Sequence, residues 1–123
     1  MIEISEVEII HDILLERFGG AKGIRDKGIL ESAIGRPFQT FDGKDLYPDP
    51  VDKAAAIFES IVSNHPFVDG NKRTAYVLMR LILRRNQLDI EVNQDVKYGF
   101  VIKAAKGELT FDEIKTWIGN SLK

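Results

Sequence analysis

The sequence predicts an all-α fold, a compact bundle of about six helices around a central motif helix with one small β-hairpin. Three observations predict it. Apolar residues recur at three-and-four spacing through most of the chain, the helical period. The breaks between these stretches carry capping residues, prolines and glycines. The one departure is Asp42-Gly43, a dipeptide that favours a two-residue hairpin turn. With 123 residues, 44% of them apolar, the chain can fill one core and not two, so a single domain over residues 1–123 is expected.

The first helix is expected to open at Ser5, which with Glu8 has the form of a capping box, and to close at Gly19-Gly20. Val7, His11, Leu14 and Phe18 mark its inner face. His11 on that face reads as a hydrogen-bonded core histidine rather than a second catalytic imidazole. Asp26 caps a short second helix packed through Ile29, Leu30, Ala33 and Ile34 and stopped by Arg36-Pro37. Residues 38–41 and 44–47 then flank the Asp42-Gly43 turn. Two strands with no sheet behind them are marginally stable, so the residues alone leave an ordered surface loop and an active-site flap equally open.

Asp49-Pro50 supplies an N-cap followed by proline at the first helical position. The helix it starts carries Ala54, Ile57, Phe58, Ile61 and Val62 inward, leaves Glu59 and Ser63 to solvent, and ends at His65 because Pro66 disfavours helical angles there. A fourth helix starts near Gly70 and packs through Ala75, Leu78, Met79, Ile82 and Leu83, widened by Val77 and Leu81, as far as about Asn86. This is the expected central helix. Arg80, Arg84 and Arg85 in its last turns suit the helix dipole and stay outside the predicted site. A short extended link over 88–92 leads to a fifth helix, about Gln94 to Lys106, burying Val96, Phe100 and Ala104. The last helix has a capping box at Thr110 and Glu113 and packs through Phe111, Ile114, Trp117 and Ile118.

Seventeen basic and nineteen acidic side chains give a formal charge of -2, which leaves no footprint for nonspecific nucleic-acid binding. There is no cysteine, hence no disulfide or thiolate metal site. The start Met1-Ile2-Glu3-Ile4 lacks the features of a signal peptide, and no apolar run approaches spanning length. A cytoplasmic protein with no membrane partner is expected.

The chemistry concentrates between helices three and four, in His65-Pro66-Phe67-Val68-Asp69-Gly70-Asn71-Lys72-Arg73-Thr74-Ala75. His65 sits at a helix exit. Gly70 to Arg73 open the next helix, where unpaired N–H groups and the helix dipole make an anion site. Gly70 lets the backbone approach a ligand, and Lys72 and Arg73 add full charges, so a phosphate chain is the natural guest. Asp69 at its lip would repel that phosphate unless a divalent ion such as Mg2+ lay between them. A P-loop is excluded by spacing and by the helix in front. A zinc hydrolase is excluded because His11 and His65 cannot supply its ligand spacing. The non-enzyme alternative is a small helical adaptor whose polar residues only cap helices. Capping would not call for Lys72 and Arg73, and ATP binding with Mg2+ would separate the two readings.

The run His65-x-Phe67-x-Asp69-Gly70-Asn71-Lys72-Arg73 resembles the signature of the Fic/Doc superfamily, and Lys72-Arg73-Thr74-Ala75 resembles its Doc (death-on-curing) branch, the toxins of bacterial toxin-antitoxin pairs. Gly19-Gly20, Gly23-Ile24-Arg25-Asp26, Leu30-Glu31-Ser32-Ala33, Arg36-Pro37 and Tyr47-Pro48 extend the likeness over most of residues 5–107. The resemblance implies His65 as general base, Asp69 as Mg2+ ligand, Asn71 and Arg73 as phosphate contacts, and the amides around Gly70, beside Lys72, as the anion hole for ATP. It also favours the flap reading of the hairpin, with Lys44 and Asp45 as candidate target contacts, since Fic-type enzymes hold a target segment beside such an element by strand addition.

The same resemblance implies transfer of part of ATP to a hydroxyl of a target protein, with translation elongation factor Tu as the suggested target. No self-inhibiting Ser/Thr-x-x-x-Glu-Gly/Asn segment is present, so inhibition is expected from a separate antitoxin whose disordered tail folds on binding. AMP-transferring relatives carry His-x-Phe-x-Asp/Glu-Gly-Asn-Gly-Arg-x-x-Arg. Here Lys72 replaces the second glycine and Tyr76 the final arginine, so the γ-phosphoryl group is expected to face His65, with AMP transfer as the alternative.

Overall fold

Side chains that satisfy the free amides of a first turn fix where most of the helices begin. The computed structural model describes residues 1–123, in six helices: α1 (Ile4–Phe18), α2 (Lys27–Gly35), α3 (Pro50–Asn64), α4 (Asn71–Arg85), α5 (Gln94–Ala105) and α6 (Phe111–Ser121). Asp26, Asn93 and Thr110 accept the N–H of the third residue beyond them. Asp49 and Thr110 complete capping boxes with Asp52 and Glu113. The first helix departs from expectation, because its box joins Glu3 and Glu6 rather than Ser5 and Glu8. Ile2, buried at the chain's entry, brings the helix start forward to that point.

The Asp42-Gly43 turn forms as expected, with both residues at positive φ (53° and 76°), as the tight hairpin turn requires. Its ladder is shorter than the sequence reading. Strands β1 (Thr40–Phe41) and β2 (Lys44–Asp45) pair Thr40 with Asp45 and Phe41 with Lys44. Phe38 instead belongs to a 3-10 turn, Arg36–Phe38, that continues α2. Tyr47 turns inward under Arg36. That guanidinium donates to Tyr47 Oη (2.9 Å), Glu59 Oε1 (2.9 Å) and Ser60 Oγ (3.0 Å) and lies against the Tyr47 and Phe111 rings. Glu59 is therefore a half-buried ion-pair partner, a correction to its solvated reading.

A single cluster of 24 buried residues forms the core. The helix at its middle is α3, which packs against α2, the 3-10 turn, α4, α5 and α6. The small side chains of Ala54, Ala55 and Ala56, all buried, allow neighbours on several sides at once. The motif helix α4 shares this core but is not its most enclosed member. Phe58, Phe100 and Trp117 stack in series across α3, α5 and α6, so Trp117 is a packing residue as expected. Two face assignments change: Leu15 rather than Phe18 is buried on α1, and Val96 is exposed while Val101 packs with Phe100.

The link after α4 is extended, and it pairs with the chain's end: Ile90 bridges Leu122, and Glu91 donates to Ser121 O (3.1 Å). Beneath it the basic end of α4 is neutralised. Asp89 accepts from Arg80 at 3.0 and 2.9 Å and lies 3.4 Å from Arg84, while Arg85 pairs with Glu6. These arginines therefore serve the fold and not the site. The Arg80 hydrogen bonds hold the nearly buried Asp89 carboxyl at about 2, against an ordinary 3.8. A depressed carboxyl pKa contributes stability that is present above pH ~4 and lost as the pH falls through ~2. Asp89→Asn should accordingly cost on the order of 1–2 kcal/mol near neutrality. Denaturation midpoints of the two proteins, followed from pH 6 downwards, should converge in acid; a gap that stays constant would contradict this role.

Candidate active site

The turn between α3 and α4 is built from two left-handed residues. His65 ends α3 at φ 50°, ψ 62°, and Gly70 caps α4 at φ 77°, ψ 16°. Both reverse the chain sharply, so the C-terminus of one helix and the N-terminus of the next open on one side. Glycine adopts such angles freely, and a histidine does so only under restraint. At Gly70 it is the positive φ that calls for glycine, since an added Cβ would only make ordinary contact with Leu15 at 3.4 Å and His11 Nε2 at 3.5 Å.

Three sets of contacts supply the restraint. Segment 23–26 runs antiparallel to the turn: Ile24 bridges Phe67, Val68 N donates to Gly23 O (3.0 Å), and Pro66 O accepts from Arg25 N (2.7 Å) and Asp26 N (3.1 Å). The Asn71 side chain grips Phe67 from inside, accepting its N–H at 3.0 Å and donating to its carbonyl at 2.9 Å. Finally, buried His11 stacks on Phe67 with ring centroids 3.8 Å apart and hydrogen-bonds Asp69 O through Nε2 at 2.8 Å. His11 is thus the hydrogen-bonded core histidine expected, and the carbonyl it binds belongs to the motif itself.

A cleft of about 590 Å3 opens over this turn. His65, Asp69, Gly70, Asn71, Lys72 and Arg73 all line it, so every motif residue singled out in the sequence meets in one place. The amides of Asn71, Lys72 and Arg73 have no partner, because the first intrahelical bond is Thr74 N to Gly70 O (3.0 Å). Asn71 can therefore offer an anion its backbone N–H, its side chain being committed to Phe67. The Arg73 guanidinium lies 4.5 Å from the centroid of the Phe18 ring, which faces the cleft and not the core. Lys44 and Asp45 do not line the cleft, and Asp45 pairs with Lys53 at 3.2 Å.

Asp69 is exposed, and its carboxylate is oriented by two backbone donors, Ala21 N (3.1 Å) and Gly70 N (2.8 Å). These bonds, with Lys72 and Arg73 nearby, hold its pKa below the ordinary carboxylate value. It is therefore anionic wherever the protein is folded near neutrality. No cluster of three or more His, Cys, Asp or Glu is present. A hard divalent ion fits this site in one way, with Asp69 as sole protein ligand and phosphate oxygens and water completing the sphere. Each Asp69 oxygen spends one lone pair on an amide and keeps another.

The far wall comes from α5, through Gln94, Lys97, Tyr98, Val101 and Ile102. Lys97 Nζ sits 4.6 Å from the centroid of Tyr76, whose ring is buried and whose hydroxyl pKa is raised by desolvation. Sequence reasoning missed Lys97, because no local pattern connects it to a motif more than twenty positions away. The geometry also gives Gly20 a specific duty, since at φ 125° an added Cβ would lie 2.9 Å from Asp69 Oδ2 and 3.0 Å from Leu15. Gly19, at φ 82°, has open space around it. Both alanine substitutions should therefore be strained, but Gly20→Ala should cost about 1–3 kcal/mol more through overpacking. Urea denaturation midpoints decide it, and equal losses would contradict the crowding of Asp69.

A model of the Fic/DOC family matches residues 2–83. Toxin Doc of Mycolicibacterium smegmatis is 44% identical over 79 residues, a match covering 64% of this chain and 61% of that protein. Protein kinase doc of Escherichia phage P1 is 32% identical over 116 residues, 93% of this chain and 90% of that protein. Protein adenylyltransferase fic-1 of Caenorhabditis elegans is 44% identical over 45 residues, 37% of this chain and 9% of that protein.

Proposed function

This chain belongs to the Fic/DOC family, and from that premise we propose that it is a Doc-type toxin that transfers the γ-phosphoryl group of ATP to a protein hydroxyl. The observation that carries the reading is the convergence of His65, Asp69, three unpartnered amides and two cations on one cleft. The names of the phage relative matched over 90% of its length, a protein kinase, and of the mycobacterial relative, a toxin, agree with it.

The residues divide the work by position. The amides of Asn71, Lys72 and Arg73, with the Lys72 and Arg73 charges, bind the polyphosphate where the α4 dipole favours anions. His65 takes the proton of the target hydroxyl, whose oxygen then bonds to the γ-phosphorus as the bond to the bridging oxygen breaks and ADP leaves. Asp69 would hold a Mg2+ ion, which when bound neutralises charge on the transferring group. The target is a translation factor such as elongation factor Tu, so that activity halts growth in a bacterial host. The partner that restrains it is an antitoxin with a tail that folds on binding.

A second reading, AMP transfer, is favoured by Lys97. It sets a cation over Tyr76, at the position where AMP-transferring relatives carry arginine, and so supplies part of the grip that Tyr76 lacks. Labelled ATP separates the two. On the first reading label from the γ-position appears on the target and label from the α-position does not; the reverse establishes AMP transfer. Neither label, with ATP and Mg2+ bound, returns the chain to a binding module.

His65→Ala should stay folded and lose transfer by about 10²- to 10⁴-fold, the usual contribution of a general base. A folded variant with undiminished transfer would remove His65 from that role. Asp69→Asn should raise the Mg2+ concentration needed for half-maximal rate while leaving the denaturation midpoint nearly unchanged. An unaltered Mg2+ titration would show that the ion is held elsewhere.

A further inference from the structure

Arg25 is an exposed residue on a loop, outside the cleft, yet it reaches across to the residue that ends α3. Its Nε donates to His65 O at 2.6 Å and its Nη2 to Asn64 O at 2.6 Å. The guanidinium fork thus satisfies two carbonyls at the end of α3 that have no intrahelical partner, and it places positive charge at the negative end of the helix dipole. The rest of its segment is fixed to the same turn by the Ile24–Phe67 bridge and the bonds from Arg25 N and Asp26 N to Pro66 O.

The carbonyl that Arg25 binds belongs to a strained residue. His65 holds φ 50° and ψ 62° without being glycine. Such a conformation persists only where surrounding contacts over-determine it. The direction of the His65 Cα–Cβ bond follows from its backbone, so whatever fixes the His65 and Asn64 carbonyls also sets where the imidazole projects from. Pro66, rigid at φ and unable to donate, continues the turn with only its carbonyl available, which accepts from Arg25 N and Asp26 N. His65 N donates to Ile61 O (3.1 Å), and the remaining restraints act from Pro66 onwards, on Phe67 through Asn71 and His11 and on Asp69 through His11. Only Arg25 acts directly on the carbonyls of residues 64 and 65.

We infer that Arg25 is a positioning residue for His65: its forked bonds to the Asn64 and His65 carbonyls hold the left-handed turn that aims the imidazole into the cleft. The role rests on the proposed use of His65 as base and adds a residue outside the motif to that site. It predicts a loss in the chemical step without a loss in nucleotide binding, because Arg25 does not line the cleft where the polyphosphate binds. Lysine cannot replace it fully, since an ammonium is a point charge without the planar fork that reaches both carbonyls.

The test compares Arg25→Ala, Arg25→Gln and Arg25→Lys with the unaltered protein by steady-state kinetics and by the NMR signals of the His65 imidazole, assigned with His65→Ala. Arg25→Ala should lower kcat by about 10- to 100-fold, as expected of a displaced catalytic group, with KM for ATP unchanged within about twofold. The His65 ring signals should shift or split, and Arg25→Lys should fall between in both readouts. Should Arg25→Ala unfold at the assay temperature, the Gln and Lys variants, each keeping a donor, carry the same comparison. Where His65→Ala has lost transfer, unchanged kcat, a rise in KM alone, or a fall in kcat with the His65 signals unmoved would each overturn the inference. If His65→Ala proves active while the His65 signals still shift in the Arg25 variants, the positioning stands and the assignment of the base is what fails.

Discussion

The structure depends on the way one tight reversal between two packed helices is held open. His65 and Gly70, both left-handed, turn the chain so that α3 ends and α4 begins at the same cleft. Once that geometry is set, the rest follows from it. The first amides of α4 are left without partners, two cations stand beside them, and an ionised carboxylate is oriented at the lip. A relaxed connection would lose this arrangement, because the helix termini would no longer face the same volume. The cost of the left-handed histidine is offset by contacts from α1 and from segment 23–26, so the first quarter of the chain acts as a brace for the motif.

That division explains what could be read from the sequence and what could not. Local signals were legible: the caps at Asp26, Asp49 and Thr110, the Asp42-Gly43 turn, the glycine stop after Phe18 and the free amides at the start of α4 all depend on residues within a few positions of each other. The failures share a different origin. The choice between Glu3 and Ser5 as cap was decided by where Ile2 is buried, and Glu59 left the solvent because Arg36, 23 positions away, needed a partner. The site lost most in this way. His11 meets Asp69 across 58 positions, and Arg25 meets His65 across 40. Asn71 was legible as a member of the motif, and the way its side chain is spent on Phe67 was not.

The cleft also has two walls of different character. The motif wall is polar and charged, with Phe18 set against Arg73, while the α5 wall mixes apolar Val101 and Ile102 with Gln94 and Lys97. Lys97 and Tyr76 stand where the two meet, a cation resting on a buried ring. Low-dielectric walls strengthen the field at a charged group, so the amides and cations of α4 act on a bound anion more strongly than they would on an open surface. Electrostatic preorganisation of this kind, with donors fixed before the ligand arrives, is what phosphoryl or nucleotidyl transfer requires of a protein.

The central claim is that the free amides of α4 bind a polyphosphate, and amide NMR tests it most directly. Titration with Mg2+ and a nonhydrolysable ATP analogue should move the backbone N–H signals of Asn71, Lys72 and Arg73 furthest, in the downfield direction expected of a charge-assisted hydrogen bond to phosphate. Saturable binding that leaves these three amides unmoved would contradict the account.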